Sequence, residues 1–345
     1  MKVVVASTFV PFVEGGAQMI MRDLVRELEV RGHEVDTVEL PTSSRWDLVL
    51  EQMLALRLLE VSRGSDAMIA IRPPSYVLRH ANKRLWFIHH LRSAYDLWGT
   101  PWQDFPEGPE GLAVRDAIRR YDTLCLGEAQ RVFTNSLTVA DRLREFNGID
   151  AAVLYPPLGR PDSFYWEPPE DYVFYPSRIT SHKRQWLAVE AAVHVASDVR
   201  VVIAGAPDSP GDLATLTEVI REHDLEGRVT LIPRWISEDE KAELIARSLG
   251  VLYLPYEEDS YGYVSLEAAH ARKPVVTCSD SGGVLELVRD GENGLVVAPE
   301  PRALAGAFDR LRADPVWASA LGERGAEALG EQGISWDRVI DALLS

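Results

Sequence analysis

Short apolar runs alternate along this chain with longer stretches in which apolar residues recur every three or four positions. Residues 3–6 form the first run. Behind it, Met21, Leu24, Val25 and Leu28 fall at the i, i+3, i+4, i+7 spacing of an amphipathic helix that Gly32 closes. Further runs at 34–40, 67–71, 85–88 and 131–134 continue the alternation. Short strands that are apolar on both faces, separated by helices, predict a parallel sheet covered on both sides.

Prolines then break the pattern at Pro156, Pro157, Pro161, Pro168 and Pro169, and they predict an extended linker over 156–171. Beyond it the grammar restarts, with strands expected at 172–175, 199–204, 229–232, 250–254, 274–277 and 294–297. Helices are expected between them, including 238–248 and 263–271. The reading is an α/β chain of two doubly wound, Rossmann-like domains, 1–155 and 172–333, facing an interdomain cleft. Ligands in such sheets sit beyond the carboxyl ends of the strands.

Composition narrows the function classes. No run of 18 apolar residues occurs, so no membrane-spanning helix is expected. The opening MKVVVASTFVPF has a lysine and an apolar run but no small-residue cleavage pattern, and it reads as a buried strand. The two cysteines, Cys125 and Cys278, are far apart, which predicts neither a disulfide framework nor a zinc site and fits a reducing cytoplasm. The net charge is −17. Residues 1–155 carry 18 basic and 21 acidic side chains, the remainder 18 and 32. That sign argues against nucleic acid as a partner. The local trio Arg115, Arg119 and Arg120 leaves open a peripheral contact with an anionic membrane surface, or a solvated helix face.

Several segments carry candidate chemistry. Gly15-Gly16, between a strand and a helix, offers backbone N–H groups to a phosphate or sugar oxygen, or is simply a turn. Neither GxGxxG nor GxxxxGK[ST] occurs, which disfavours a dinucleotide-dependent dehydrogenase and a P-loop ATPase. Arg178 and Lys183, five apart after the first strand of the second domain, fit the two phosphates of a diphosphate. In the first domain, His89, His90, Arg92 and Tyr95 follow a strand, where a histidine can meet a sugar hydroxyl and Arg92 an acceptor. Adjacent histidines diverge, so no metal is expected there. Trp86, Trp98 and Trp102 cluster with Tyr95 in sequence and either stack on an acceptor or fill the core. The stretch DSYGYVSLE places Asp259 and Glu267 around Tyr261, Gly262 and Tyr263, with Glu258 just before. Pro-Val-Val and Ser281-Gly282-Gly283 follow.

Together these motifs resemble the family four retaining glycosyltransferases of the GT-B fold: VEGGAQ, RGHEV, FTNSLTVADRL, RITSHK and DSYGYVSLEAAHARKPVVTCSDSGG. The resemblance spans nearly the whole chain. It implies transfer of a sugar from a nucleotide-diphospho-sugar, of UDP or GDP type, to an acceptor hydroxyl on a glycan, lipid-linked sugar or small molecule. Anomeric configuration is retained, and neither cofactor nor metal is needed. Arg178 and Lys183 are then expected to hold the diphosphate, Glu267 the ribose hydroxyls, and Asp259 the donor sugar. Gly15 and Gly16 would lie against the phosphates, and Tyr261, Gly262, Tyr263, Ser281, Gly282 and Gly283 beside the donor. His89 would stand near the transferring carbon, with His90, Arg92 and Tyr95 on the acceptor side. The family has glutamate where Asp259 stands, so either Asp259 or Glu258 fills that place. The last helix, 334–345, is expected to pack back on the first domain. Rival readings are an epimerase or phosphorylase of the same fold and a binding protein without catalysis. Monomer and homodimer both fit.

Overall fold

The computed structural model describes residues 1–12, 15–43 and 45–345. By contact the chain divides into two units, Met1–Pro157 with Ile334–Ser345, and Leu158–Gly333.

The first unit opens with β1 (Lys2–Phe9), α1 (Gly16–Val30), β2 (Glu34–Pro41), α2 (Val49–Arg57), β3 (Ala67–Ala70) and β4 (Lys83–Phe87). It continues through α3 (Pro109–Leu126), β5 (Arg131–Thr134), α4 (Leu137–Asn147) and the two-residue β6 (Ala152–Val153). The strands form one parallel sheet in the order β2-β1-β3-β4-β5-β6. Chain direction across the sheet reverses between β1 and β3, so the topological switch point lies there. β3 and β4 are buried along their full length, as strands with helices on both faces must be.

The second unit repeats the architecture with β7 (Tyr172–Pro176), α5 (Gln185–His194), β8 (Arg200–Ala204), α6 (Pro210–Glu222), β9 (Val229–Ile232) and α7 (Glu238–Ala246). After these come β10 (Gly250–Leu252), α8 (Gly262–His270), β11 (Val275–Cys278), β12 (Gly294–Val297), α9 (Pro301–Ala313) and α10 (Pro315–Glu331). Its parallel order is β12-β11-β10-β7-β8-β9, with the switch point between β7 and β10. α11 (Trp336–Leu344) belongs to the first unit. It buries Val339, Ile340 and Leu343, sets Trp336 edge-on to Trp86 at 6.0 Å, and accepts from Arg84 at the Leu343 carbonyl. Arg31 pairs with Asp337 at its start.

Two local outcomes differ from the sequence reading. The proline-rich stretch from residue 158 onward is packed into the second unit: Phe164 is buried, and Lys273, itself buried, donates to the Glu167 carbonyl at 2.8 Å with Trp166 beside it. Prolines forbade a strand there but did not forbid packing. The two-residue β6 lies in the apolar run 151–155, which the sequence reading did not count as a strand.

Candidate functional site

The loops leaving β7 and β10 meet at the second unit's switch point. Tyr175 ties them, its hydroxyl donating to the Lys183 carbonyl and accepting the Leu254 N–H at 3.0 Å. Arg184 ties them further. Its guanidinium donates to the carbonyls of Leu254 and Pro255 at 2.7 and 2.9 Å, and it grips both Asp280 oxygens at 2.7 Å. That one buried residue, held at φ +56°, fastens the loops after β7, β10 and β11 together. Nothing in its spacing separated it from Lys183, and the sequence reading passed over it.

On this frame Lys183 Nζ pairs with Glu258 and donates to the Tyr253 hydroxyl at 2.9 Å. That hydroxyl in turn donates to Glu258 at 3.0 Å. Burial and the Glu258 charge raise the Tyr253 pKa well above its ordinary value, so the phenol keeps its proton. Arg178 leaves the same β7 loop and pairs with Asp208 at 2.6 Å, half-exposed. Asp259 is buried beside them in sequence.

The glycines have a reason that the sequence could only half supply. Segments 257–259 and 280–283 run side by side: the Glu257 N–H bonds the Asp280 carbonyl at 3.0 Å, and the Gly283 N–H bonds that of Glu258 at 2.8 Å. A Cβ on Gly282 would stand 2.6 Å from the Glu258 oxygen, and one on Gly283 2.6 Å from Ser260 Cα. At Gly262, with φ +69°, a Cβ would run into the Tyr253 ring at 2.3 Å. These glycines therefore let protein approach protein and so position Glu258 and Tyr253. Gly282 also has φ +60° and ψ −128°, open to glycine alone. Gly282→Ala is expected to cost about 1–3 kcal/mol. Gly291→Ala, at φ +69° with open space around it, supplies the reference without a clash. Equal losses for the two in denaturant unfolding would refute the packing argument.

Glu267 sits on α8, whose first residue is Gly262 rather than Tyr263, and its side chain is wholly buried. Oε1 accepts from Lys241 of α7 at 2.6 Å, while Oε2 is buried with no hydrogen-bond partner among the described residues. Lys241 also pairs with Glu238 at 3.0 Å. Burial raises the Glu267 pKa, and the Lys241 charge opposes that rise. Sequence reasoning missed Lys241 as well, because 26 positions separate it from its partner. Ser281 is buried, its hydroxyl accepting the Cys278 N–H at 3.2 Å, and Tyr261 is buried in the core.

In the first unit, His89 is half-buried and its Nδ1–H donates to the His90 carbonyl at 2.6 Å. The expected acceptor contacts of His90 and Tyr95 need correction. His90 is buried among Phe87, Tyr95 and Phe146, bonds Asn147 at 2.8 Å, and is pushed down by burial to about 4. Tyr95 is buried and donates to Asp122 at 2.8 Å. Both belong to the core. Arg92 pairs with Asp96 at 2.7 Å. Trp86 is buried, its indole donating to the Leu154 carbonyl, so it too belongs to the core. Gly15 ends the loop before α1, and its N–H bonds Gln18 Oε1 at 2.8 Å. Val13 and Glu14 of the same motif lie outside the described residues.

Residues 163–328 match the family described as "Glycosyl transferases group 1". That match lies within the second unit and covers just under half of the chain. The chain is 34% identical to the alpha-maltose-1-phosphate synthase of Mycolicibacterium smegmatis over 57% of its own length. The match spans about half of that relative, 54%. It is 29% identical to the D-inositol 3-phosphate glycosyltransferase of Kineococcus radiotolerans over 96% of this chain and 89% of the relative. Among solved structures it resembles the sucrose-phosphate synthase of Thermosynechococcus elongatus, with TM-score 0.79, 18% identity, and coverage of 97% and 96%. HepE of Anabaena, solved with UDP and glucose, gives TM-score 0.71 at 17% identity with 99% of both chains covered. These likenesses show the GT-B fold, in which each unit is a doubly wound parallel sheet.

Proposed function

We propose that the protein transfers a sugar from a nucleotide-diphospho-sugar to an acceptor hydroxyl, with retention and without a required metal. The observation that carries this reading is the cluster of Lys183, Tyr253 and Glu258 at the β7/β10 switch point, with Arg178 on the same loop. The reaction's difficulty is negative charge growing on the leaving diphosphate, and fixed cations meet it without reorganisation. A diphosphate reaching this loop competes with Glu258 for Lys183 and with Asp208 for Arg178. Those carboxylates keep the cations in place in the meantime. Glu267 completes the donor site, because its Oε2, without a hydrogen-bond partner among the described residues, is an acceptor suited to the two hydroxyls of a ribose. Asp259 is assigned to the donor sugar and Glu258 to holding Lys183, which is how the pair of acids divides. A cytoplasmic location, with donor and acceptor both soluble or membrane-presented, fits this assignment.

The test is calorimetric titration with UDP, GDP, ADP and dTDP, without and with magnesium, followed by NMR of the anomeric product. One nucleotide is expected to bind without metal, and its sugar adduct to give a glycoside of unchanged configuration. An isomerised free donor would mean epimerase. Binding of all four with equal weakness would overturn the donor site.

A further inference from the structure

The first sheet has its own switch point, between β1 and β3, and a cavity of about 100 Å³ opens there. Its inner wall is formed by buried Val49, Met53, Tyr76, Ile118 and Asp122, from α2, the turn after β3, and α3. Its outer wall includes Val10, Arg72 and His89, at the ends of β1, β3 and β4. The size is of the order of the engineered apolar cavity of roughly 150 Å³ that holds benzene.

The polar groups of the inner wall, and some of the outer, are bonded within the protein. Asp122 accepts from the hydroxyls of Tyr76 at 2.6 Å and Tyr95 at 2.8 Å, one on each oxygen. Gln52 accepts the Ser43 N–H at 2.7 Å and donates to the carbonyls of Ser43 and Leu48. Arg72 donates to the Thr8 carbonyl at 3.3 Å. A polyol entering the inner part would leave its water hydrogen bonds for groups already satisfied, at a cost of 1–3 kcal/mol or so for each group left unpaired. An apolar group loses nothing and is removed from water. Burial has also pushed Asp122 up to about 6, and a second anion beside it would be repelled.

The geometry points to an acceptor that carries a compact apolar substituent, one aromatic ring or a short branched alkyl group, which enters this cavity beside His89. The inference rests on the transferase reading for its word "acceptor" and names the substrate class of that reaction: an apolar alcohol or a glycoside with an apolar aglycone. Sugar phosphates and bare polyols are disfavoured in the cavity, by the Asp122 carboxyl and by its engaged polar atoms.

The probe is 4-fluorobenzyl alcohol, followed by fluorine NMR on the full chain, with and without UDP. Saturable binding is expected, displaced by benzyl glucoside and not by methyl glucoside or myo-inositol. Met53→Phe fills the cavity and should weaken binding about tenfold or more. Val49→Phe enters from the same helix and serves if the first variant does not melt cooperatively. Absence of saturable binding, equal displacement by methyl glucoside or myo-inositol, or unchanged binding in a folded cavity-filling variant would each overturn the proposal. Failure of UDP to bind would count against the donor site alone, since the fluorine signal reads the first unit without it.

Discussion

Alanine in place of Lys183 is expected to lower turnover by about a hundredfold or more, and alanine in place of Arg178 by a similar factor. The scale is that of removing one pre-organised donor from a developing anion, roughly 10²–10³ in rate. Lys183 should be the more sensitive of the two. Its side chain is largely buried and held by Tyr253 and Glu258, whereas Arg178 is half-exposed and its pair with Asp208 is open to solvent screening. The loss should fall on kcat more than on KM, because the cations oppose charge that is fully formed only as the bond to the sugar breaks.

One ambiguity has to be designed out. Lys183→Ala also strips Glu258 of its cation, and a stranded carboxylate beside a bound diphosphate would repel it. Glu258→Gln in the same background removes that repulsion. If the double variant recovers nucleotide affinity but not turnover, Lys183 acts on the leaving group. If it recovers both, the single variant's defect was repulsion by Glu258. Near-normal turnover in both single alanine variants, assayed by nucleotide release, would sink the assignment.

The frame of this site was legible because strands buried on both faces leave apolar runs. β5, β9 and β12 fall where those runs predict them, with the same end residues. β10 is shorter than its run: the Tyr253 N–H still bonds the Val276 carbonyl of β11, but the Leu254 N–H turns to the Tyr175 hydroxyl. What could not be read were contacts between segments far apart in sequence. Arg184 reaches Asp280 across 96 positions, and Lys241 reaches Glu267 across 26. Neither leaves a periodic trace, because each is a single residue on its own element.

The aromatic cluster at the end of β4 and just after it shows the opposite failure. His90, Tyr95 and Trp86 carry polar tips that read equally as ligand contacts or as core groups with internal partners. Only Asn147, Asp122 and the Leu154 carbonyl decide the matter, and all three come from other elements. The resemblance puts the glycine pair at 282–283 beside the donor; within the chain, what crowds both glycines is the Glu257–Ser260 backbone. A sequence gives the freedom of a glycine and not the identity of what fills the space.

Lys241→Met should separate a binding role from a structural one. The substitution keeps an apolar stem and removes the ammonium that pairs with Glu267, leaving a wholly buried carboxyl without its cation. An unpaired buried charge costs about 3–5 kcal/mol, part of which Glu267 escapes by taking up a proton. The Glu267 pKa, already raised by burial, then rises further because the opposing Lys241 charge is gone. A carboxyl whose folded pKa lies above its unfolded one contributes stability at low pH that is lost as pH climbs through the folded value. The variant should therefore lose the most stability relative to the parent toward alkaline pH. Donor affinity should run the other way. If ribose hydroxyls need the ionised Oε2, affinity in the variant improves as pH rises, from a base about tenfold weaker, the worth of one charge-assisted hydrogen bond. Adding Glu267→Gln makes the pair neutral and should restore most of the stability while leaving affinity low. Stability and affinity that recover together in the double variant would mean that Lys241 and Glu267 only support the fold. Opposite pH trends in the single variant, followed by recovery of stability alone in the double, would mean that Lys241 acts through the carboxylate it orients.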